Sequence, residues 1–124
     1  MSTKAPFAYD GLDRLFHERG RLAVCTCLVA NPGGMTFTAL QDACALTDGN
    51  LNRHLHALAE AQVVSLGRVR IARRAATLVR ITPAGKRRFL DYIDALEAVV
   101  RAVNASAREG NGASRAAIRL VPSS

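Results

Sequence analysis

The stretch from Leu46 to Val64, Leu-Thr-Asp-Gly-Asn-Leu-Asn-Arg-His-Leu-His-Ala-Leu-Ala-Glu-Ala-Gln-Val-Val, constrains the fold more than any other part of the chain. It predicts a helix over 47–61 that runs directly into a strand. Thr47 suits the N-cap, because its hydroxyl can accept an orphan backbone N–H of the first turn, and Asp48 complements the positive end of the helix dipole. Leu51, Leu55 and Leu58 recur at helical spacing and form one apolar stripe. Asn50, Asn52, Arg53 and His56 occupy the other side, a set able to hydrogen-bond base edges and phosphates. Any surface helix has an apolar and a polar face, so the neighbouring segments must decide what this one does.

Upstream, residues 1–9 read as a mobile terminus, followed by a short helix over Asp10–Phe16 and a longer one over Arg19–Ala30. Leu22, Val24, Leu28 and Val29 make the longer helix apolar on most sides, and Asn31-Pro-Gly-Gly34 breaks it. Met35–Phe37 suits a short strand. Thr38 then caps a small helix through Ala45, with Leu40 and Ala43 turned inward. Two helices joined by a tight turn, the second polar on its outer face, make a helix-turn-helix. Downstream, Val63–Arg70 and Thr77–Thr82 have strand character. Ile71-Ala-Arg-Arg-Ala-Ala76 between them reads as a loop too long for a two-residue turn and basic at its centre. A hairpin with a basic tip directly behind a helix-turn-helix is a wing, here spanning 68–77.

Thr82-Pro-Ala-Gly85 starts the last helix, with Thr82 as cap and Pro83 at the first helical position, where its missing N–H costs nothing. Phe89, Ile93, Leu96, Val100 and Val103 follow at spacings of 4, 3, 4 and 3, the narrow seam of a helix that packs on another helix. That partner is either the equivalent helix of a second copy or helix 19–30 of the same subunit. The helix is expected over 83–108 and a disordered tail over 109–124, where Ile118, Leu120 and Val121 could still dock. The fold class is therefore mainly α with a small β-hairpin (α+β), one domain over 10–108.

Composition agrees with this plan. Hydrophobic residues make up 49% of 124, enough for one core, and no apolar run reaches the roughly 18 residues of a membrane span. The amino terminus lacks the apolar region of a signal peptide, so a cytoplasmic location is expected. The net charge is +7, and its placement matters more than its size. Between Glu60 and Asp91 there is no acidic residue, yet the stretch holds Arg68, Arg70, Arg73, Arg74, Arg80, Lys86, Arg87 and Arg88. Such a block attracts a polyanion and releases counterions on binding one. A general preference for arginine would not exclude acids from this one stretch.

With these elements in order, the chain resembles compact winged-helix transcriptional regulators, the broad group that includes the MarR and ArsR families. The resemblance covers residues 10 to about 105. It rests on Leu46-Thr47, on Asn52-Arg53-His54-Leu55 with Leu58 and Gln62, and on Thr82-x-x-Gly85. Asn52 stands where serine is common in these families, and Gln62 where glycine is common. Gln62 must therefore take a left-handed backbone at some cost or end the helix differently. The resemblance implies a homodimer that binds double-stranded DNA and regulates transcription. Thr38, Thr47, Asn50, Asn52, Arg53, His54, His56, Arg70, Arg73 and Arg74 are the DNA-contacting candidates, His54 having either a phosphate contact or a packing or capping role. The dimer seam comprises Phe89, Ile93, Leu96, Val100 and Val103.

Other chemistry finds little support. Cys25 and Cys27 are two apart in a helix and point about 200° away from each other, so they cannot chelate one ion within it. The cysteine pair of ArsR-type metal sensors lies beside the recognition helix, whereas this one sits earlier. Cys25, Cys27 and Cys44 read as small core residues, with a redox-sensing thiol as the alternative, and an odd number argues against a disulfide scaffold. His54 and His56 are likewise two apart and do not pair on a metal; His17 reads as a surface or helix-end residue. No nucleophile triad, phosphate loop or paired carboxylate is present, so neither a cofactor nor an enzymatic activity is expected. The rival readings are a winged helix that binds an acidic protein partner and a metal- or redox-responsive repressor.

Overall fold

Among the described residues, three short helices and a small sheet precede one long helix. The structure, a computed structural model, describes residues 11–120, with side chains over 11–109. The mobile segment expected over 1–9, the helix start at Asp10, and any docking of Ile118, Leu120 and Val121 concern parts outside the described residues and side chains. The elements are α1 (Arg19–Ala30), β1 (Met35–Thr36), α2 (Phe37–Cys44), α3 (Asp48–Glu60), β2 (Val64–Ile71), β3 (Arg74–Ile81) and α4 (Pro83–Leu120). The helix expected over Asp10–Phe16 is in the described residues only a 3-10 turn, Arg14–Phe16, started by Asp13, which accepts the Leu15 N–H. Its function is to bury Phe16 rather than to extend.

Each helix starts where a side-chain oxygen can accept its first N–H groups. Glu18 caps α1 by accepting from Gly20, Thr36 caps α2 by accepting from Ala39, and Thr47 caps α3 by accepting from Asn50. Thr36 thus takes the role expected of Thr38. Its extended backbone serves the last position of β1 and the cap of α2 at once, so strand and helix abut without a loop. Leu40 is buried as expected, whereas Ala43 is exposed.

The sheet is antiparallel with order β1-β3-β2. Met35 pairs with Val79, and the β2–β3 ladder runs unbroken from Val64–Ile81 to Ile71–Arg74. The six-residue loop expected over Ile71–Ala76 is therefore a two-residue turn, Ala72-Arg73, with φ of 50° and 69°. Positive φ at both central residues matches the right-handed twist of the strands. Nothing in the dipeptide Ala-Arg advertises it, since Asn-Gly is the usual signal.

The core gathers Phe16, Val24, Cys25, Leu28, Leu40, Leu51, Leu55, Leu58, Val63, Val64, Val79, Phe89 and Tyr92, from every element except β1. Each buried leucine contributes ~1.5–3 kcal/mol relative to exposure. The junction of α3, β2 and α4 explains the Thr-x-x-Gly pattern. Gln62 adopts φ 63°, the left-handed option, and Thr82 donates its hydroxyl to the Gln62 carbonyl at 2.8 Å while accepting the Gly85 N–H at 2.8 Å. A Cβ on Gly85 would lie 2.3 Å from the Val63 carbonyl oxygen, so only glycine lets α4 start this close to the end of α3.

The seam on α4 divides. Phe89, expected at a dimer interface, is 3% exposed and meets Phe16 edge-on at 5.1 Å between centroids. It belongs to its own subunit's core, together with Tyr92, which the 4-3 spacing passed over. Ile93 and Leu96 are partly buried against the same core. Val100 and Val103 are 52% and 55% exposed. Spacing alone cannot say whose helix a seam faces. The helix also continues past Arg108 to Leu120, so the tail expected over 109–124 is helical as far as it is described. Gly110 and Gly112 each cost ~1 kcal/mol against alanine in a helix, without ending this one. No helix among the described residues is long and apolar enough to cross a membrane.

Candidate nucleic-acid interface

The apolar stripe of α3 fixes which way its other face points. Leu51, Leu55 and Leu58 are buried, so Asn50, Asn52, Arg53 and His56 are all exposed. Thr38 and Thr47 are exposed as well, as are Arg70, Arg73 and Arg74. An open cleft of about 560 Å³ between α3 and the sheet is lined by Asn52, Arg53 and His56 on one side and by Leu66 and Thr77 on the other, with Phe37 at its end. A second cleft of about 450 Å³ joins Thr36 and Thr38 to Ile71 and Arg74 of the hairpin, and it shares Phe37 and Thr77 with the first. The polar flank of α3, the start of α2 and the outer part of the hairpin therefore lie along one continuous surface.

His54 does not belong to that surface. It is 2% exposed, and a Cβ on Gly20 would lie 2.3 Å from its Nε2. The imidazole packs against the first turn of α1 in a notch that only glycine leaves open. Its pKa is lowered chiefly by burial, against the pull of the Glu18 carboxylate 3.6 Å away, and its buried Nδ1 has no hydrogen-bond partner among the described residues. The contact with a phosphate gives way to a packing role. Position i+3 from Leu51 places His54 on the apolar stripe, a sign the leucine spacing already carried.

Glu18, which no sequence pattern singles out, connects the core to the exposed face. Its carboxylate is held below its ordinary pKa by the Gly20 N–H, with further help from His54, Arg53 and Arg21. It lies 3.7 Å from Arg53 Nη1. Two side chains 35 positions apart give no local signal, so only the folded chain reveals this contact.

The basic block is not uniformly free. Arg88 makes two hydrogen bonds to the Asp13 carboxylate, at 2.5 and 3.1 Å, and the Arg88 guanidinium holds the Asp13 pKa below its ordinary value. This pair fastens the 3-10 turn to α4. Arg80 donates to the Gly33 carbonyl at 3.1 Å, and Arg70 to the Arg73 carbonyl at 3.2 Å, across the hairpin turn. Arg73 and Arg74 stand at the tip, where no acidic side chain pairs with them among the described ion pairs. Among the described residues no group of three or more metal-ligating side chains is gathered.

A helix-turn-helix backed by a three-stranded sheet, with its last hairpin projecting beside the second helix, is a winged helix. The chain belongs to the winged helix DNA-binding domain family, whose model matches residues 21–100. Its fold is similar to that of a transcriptional regulator homologue from Pyrococcus horikoshii OT3, at 27% identity and a TM-score of 0.68 over 73% of this chain and 89% of that one. The PcaV transcriptional regulator of Streptomyces coelicolor shares the fold at 20% identity and a TM-score of 0.63, over 86% of this chain and 83% of that one. So does MepR of S. aureus in a complex with DNA, at 13% identity and a TM-score of 0.61, over 85% of this chain and 88% of that one. Among curated proteins, none matches the chain.

Proposed function

We propose that this chain is a sequence-specific, cytoplasmic transcriptional regulator that binds double-stranded DNA as a homodimer, without enzymatic activity or a cofactor. The observation that carries the reading is the surface shared by α3 and the hairpin: both clefts are lined by Phe37 and Thr77. With α3 in the major groove, Asn50, Asn52, Arg53 and His56 face base edges and phosphates. The N-termini of α2 and α3 present backbone N–H groups and the Thr38 and Thr47 hydroxyls to the phosphates on either side. The hairpin then reaches the flanking minor groove or its phosphates through Arg70, Arg73 and Arg74.

Dimerisation is supported by the shape of α4. Its 38 residues span about 57 Å at 1.5 Å per residue, and residues 101–109 are all exposed. Val100 and Val103 form an apolar stripe that continues Ile93 and Leu96 beyond the subunit's own core. A second copy related by a two-fold axis covers that stripe and sets two α3 helices on half-sites about one DNA turn apart.

The test is a salt titration of duplex binding. Replacing both Arg73 and Arg74 by alanine is expected to flatten the plot of log affinity against log salt by about two units of slope, since each phosphate neutralised contributes about one. An unchanged slope contradicts the wing's part in the reading. Because both side chains are exposed at a turn, the thermal midpoint is expected to stay close to that of the wild type.

A further inference from the structure

Cys27, in the second half of α1, and Cys44, the last residue of α2, bring their sulfurs to 3.7 Å. All three cysteines are free thiols, but they divide into a pair and a single residue. Cys25 lies on the same helix two positions earlier, facing about 200° away from Cys27, and is 0% exposed. Cys27 and Cys44 are each partly exposed. The two thiols touch across different helices at the edge of the core, each only partly covered.

We propose that Cys27 and Cys44 are an oxidation site, converted by hydrogen peroxide or an organic hydroperoxide into an intramolecular disulfide that ties α1 to α2. Cys27 and Cys44 divide the labour. Burial and the adjacent Cys27 sulfur push the Cys44 thiol up, and in the proposed order Cys27 is the sulfur that meets the peroxide first. The Cys27 thiolate attacks the terminal peroxide oxygen, the O–O bond breaks, and the alkoxide or hydroxide leaves and takes a proton. Cys27 becomes a sulfenic acid. The Cys44 sulfur then attacks the Cys27 sulfur, the S–O bond breaks, and water departs with the Cys44 proton. Overall, two thiols and one hydroperoxide give one disulfide, one alcohol or water, and one water.

The bond requires the sulfurs to close from 3.7 Å to about 2.05 Å. Cys44 is well placed to give way, because it ends α2 and the next residue, Ala45, leaves the helix in a left-handed conformation at φ 54°. The helix can therefore shift its last turn without disturbing Leu40 in the core. The bridge joins positions 17 apart and encloses the Asn31–Gly34 break, β1 and most of α2, so it removes loop freedom from the unfolded chain.

The test treats the full-length reduced protein with hydrogen peroxide, blocks remaining thiols, and reads intact mass, a non-reducing peptide map and a thermal melt. The expected product is a monomeric chain lighter by two hydrogens, with the peptides carrying Cys27 and Cys44 linked and Cys25 alkylated only after unfolding. Dithiothreitol restores the original mass. The oxidised protein is expected to melt roughly 10 °C higher than the reduced one. The variants C27S and C44S should each fail to form an intramolecular bridge, while C25A should form it as the wild type does. A link involving Cys25, a bridge between chains, over-oxidation of Cys27 without a bridge, or a bridged protein that melts no higher would each overturn the proposal. The wild-type mass and peptide map decide the question even if a serine variant fails to fold, and none of these readouts depends on the DNA-binding reading.

Discussion

Replacing Asn52 and Arg53 together by alanine is expected to weaken binding to the selected duplex by roughly a hundredfold or more, since each good base contact is worth ~1–3 kcal/mol. The fold should hardly notice. Both side chains are exposed, and alanine is the better helix former. Arg53 does have a partner, Glu18 at 3.7 Å, but the two side chains are 57% and 39% exposed. An ion pair of that kind is worth ~0–1 kcal/mol, which is too little to compete with a contact made in the groove. Fluorescence anisotropy on wild type and variant, paired with a thermal melt, separates the two effects. Unaltered affinity with an unaltered melt would mean that α3 does not read the duplex. Lost affinity with a collapsed melt would mean that the pair holds the fold instead.

The second large effect belongs to α4. Introducing Val100→Glu and Val103→Glu is expected to halve the molar mass seen in light scattering and to lower affinity for a duplex with two half-sites by about a hundredfold, the order of gain that linking two binding events supplies. Both valines are more than half exposed in the isolated subunit, at 52% and 55%, so the change leaves that subunit's core intact. Across a two-fold axis each glutamate meets its own copy or a near neighbour, and burying like charges together opposes association. A variant that keeps the wild-type mass places the dimer contact elsewhere. Phe89 would be the wrong position for this test. It packs on Phe16, and its removal would unfold the subunit before it could report on a partner.

What could be read from the sequence follows the range of the interactions involved. The helix over Arg19–Ala30 appears within the same limits, because its end is set by the adjacent Asn-Pro-Gly-Gly. The start of α3 at Thr47 and that of α4 after Thr82 were legible for the same reason: a cap and the N–H it serves are only a few residues apart. The hairpin turn was not. Ala72 and Arg73 carry no local preference for positive φ, and the ladder that forces them there runs through Ile71 and Arg74. Thr36 and Thr38 are equally good caps in isolation, and only the pairing of β1 with β3 chooses between them. His54 was ambiguous because Gly20, the residue that makes room for it, lies on another helix. The position of Glu18 beside Arg53, and of Leu66 and Thr77 in the cleft, likewise depends on the assembled fold. The candidate surface was thus legible where it lies on α3 and in the arginines of the hairpin, and illegible where it depends on the turn or on what the sheet brings alongside.

The most direct measurement of the central claim is methylation interference on a duplex selected from a random pool, because dimethyl sulfate marks guanine N7 in the major groove and adenine N3 in the minor groove. If the hydrophilic flank of α3 and the cationic hairpin work as one surface, guanine methylation should block binding within two patches about one helical turn apart, and adenine methylation should block it just outside them. Interference confined to the minor groove, or a protein that retains no duplex even at low salt, would contradict the account.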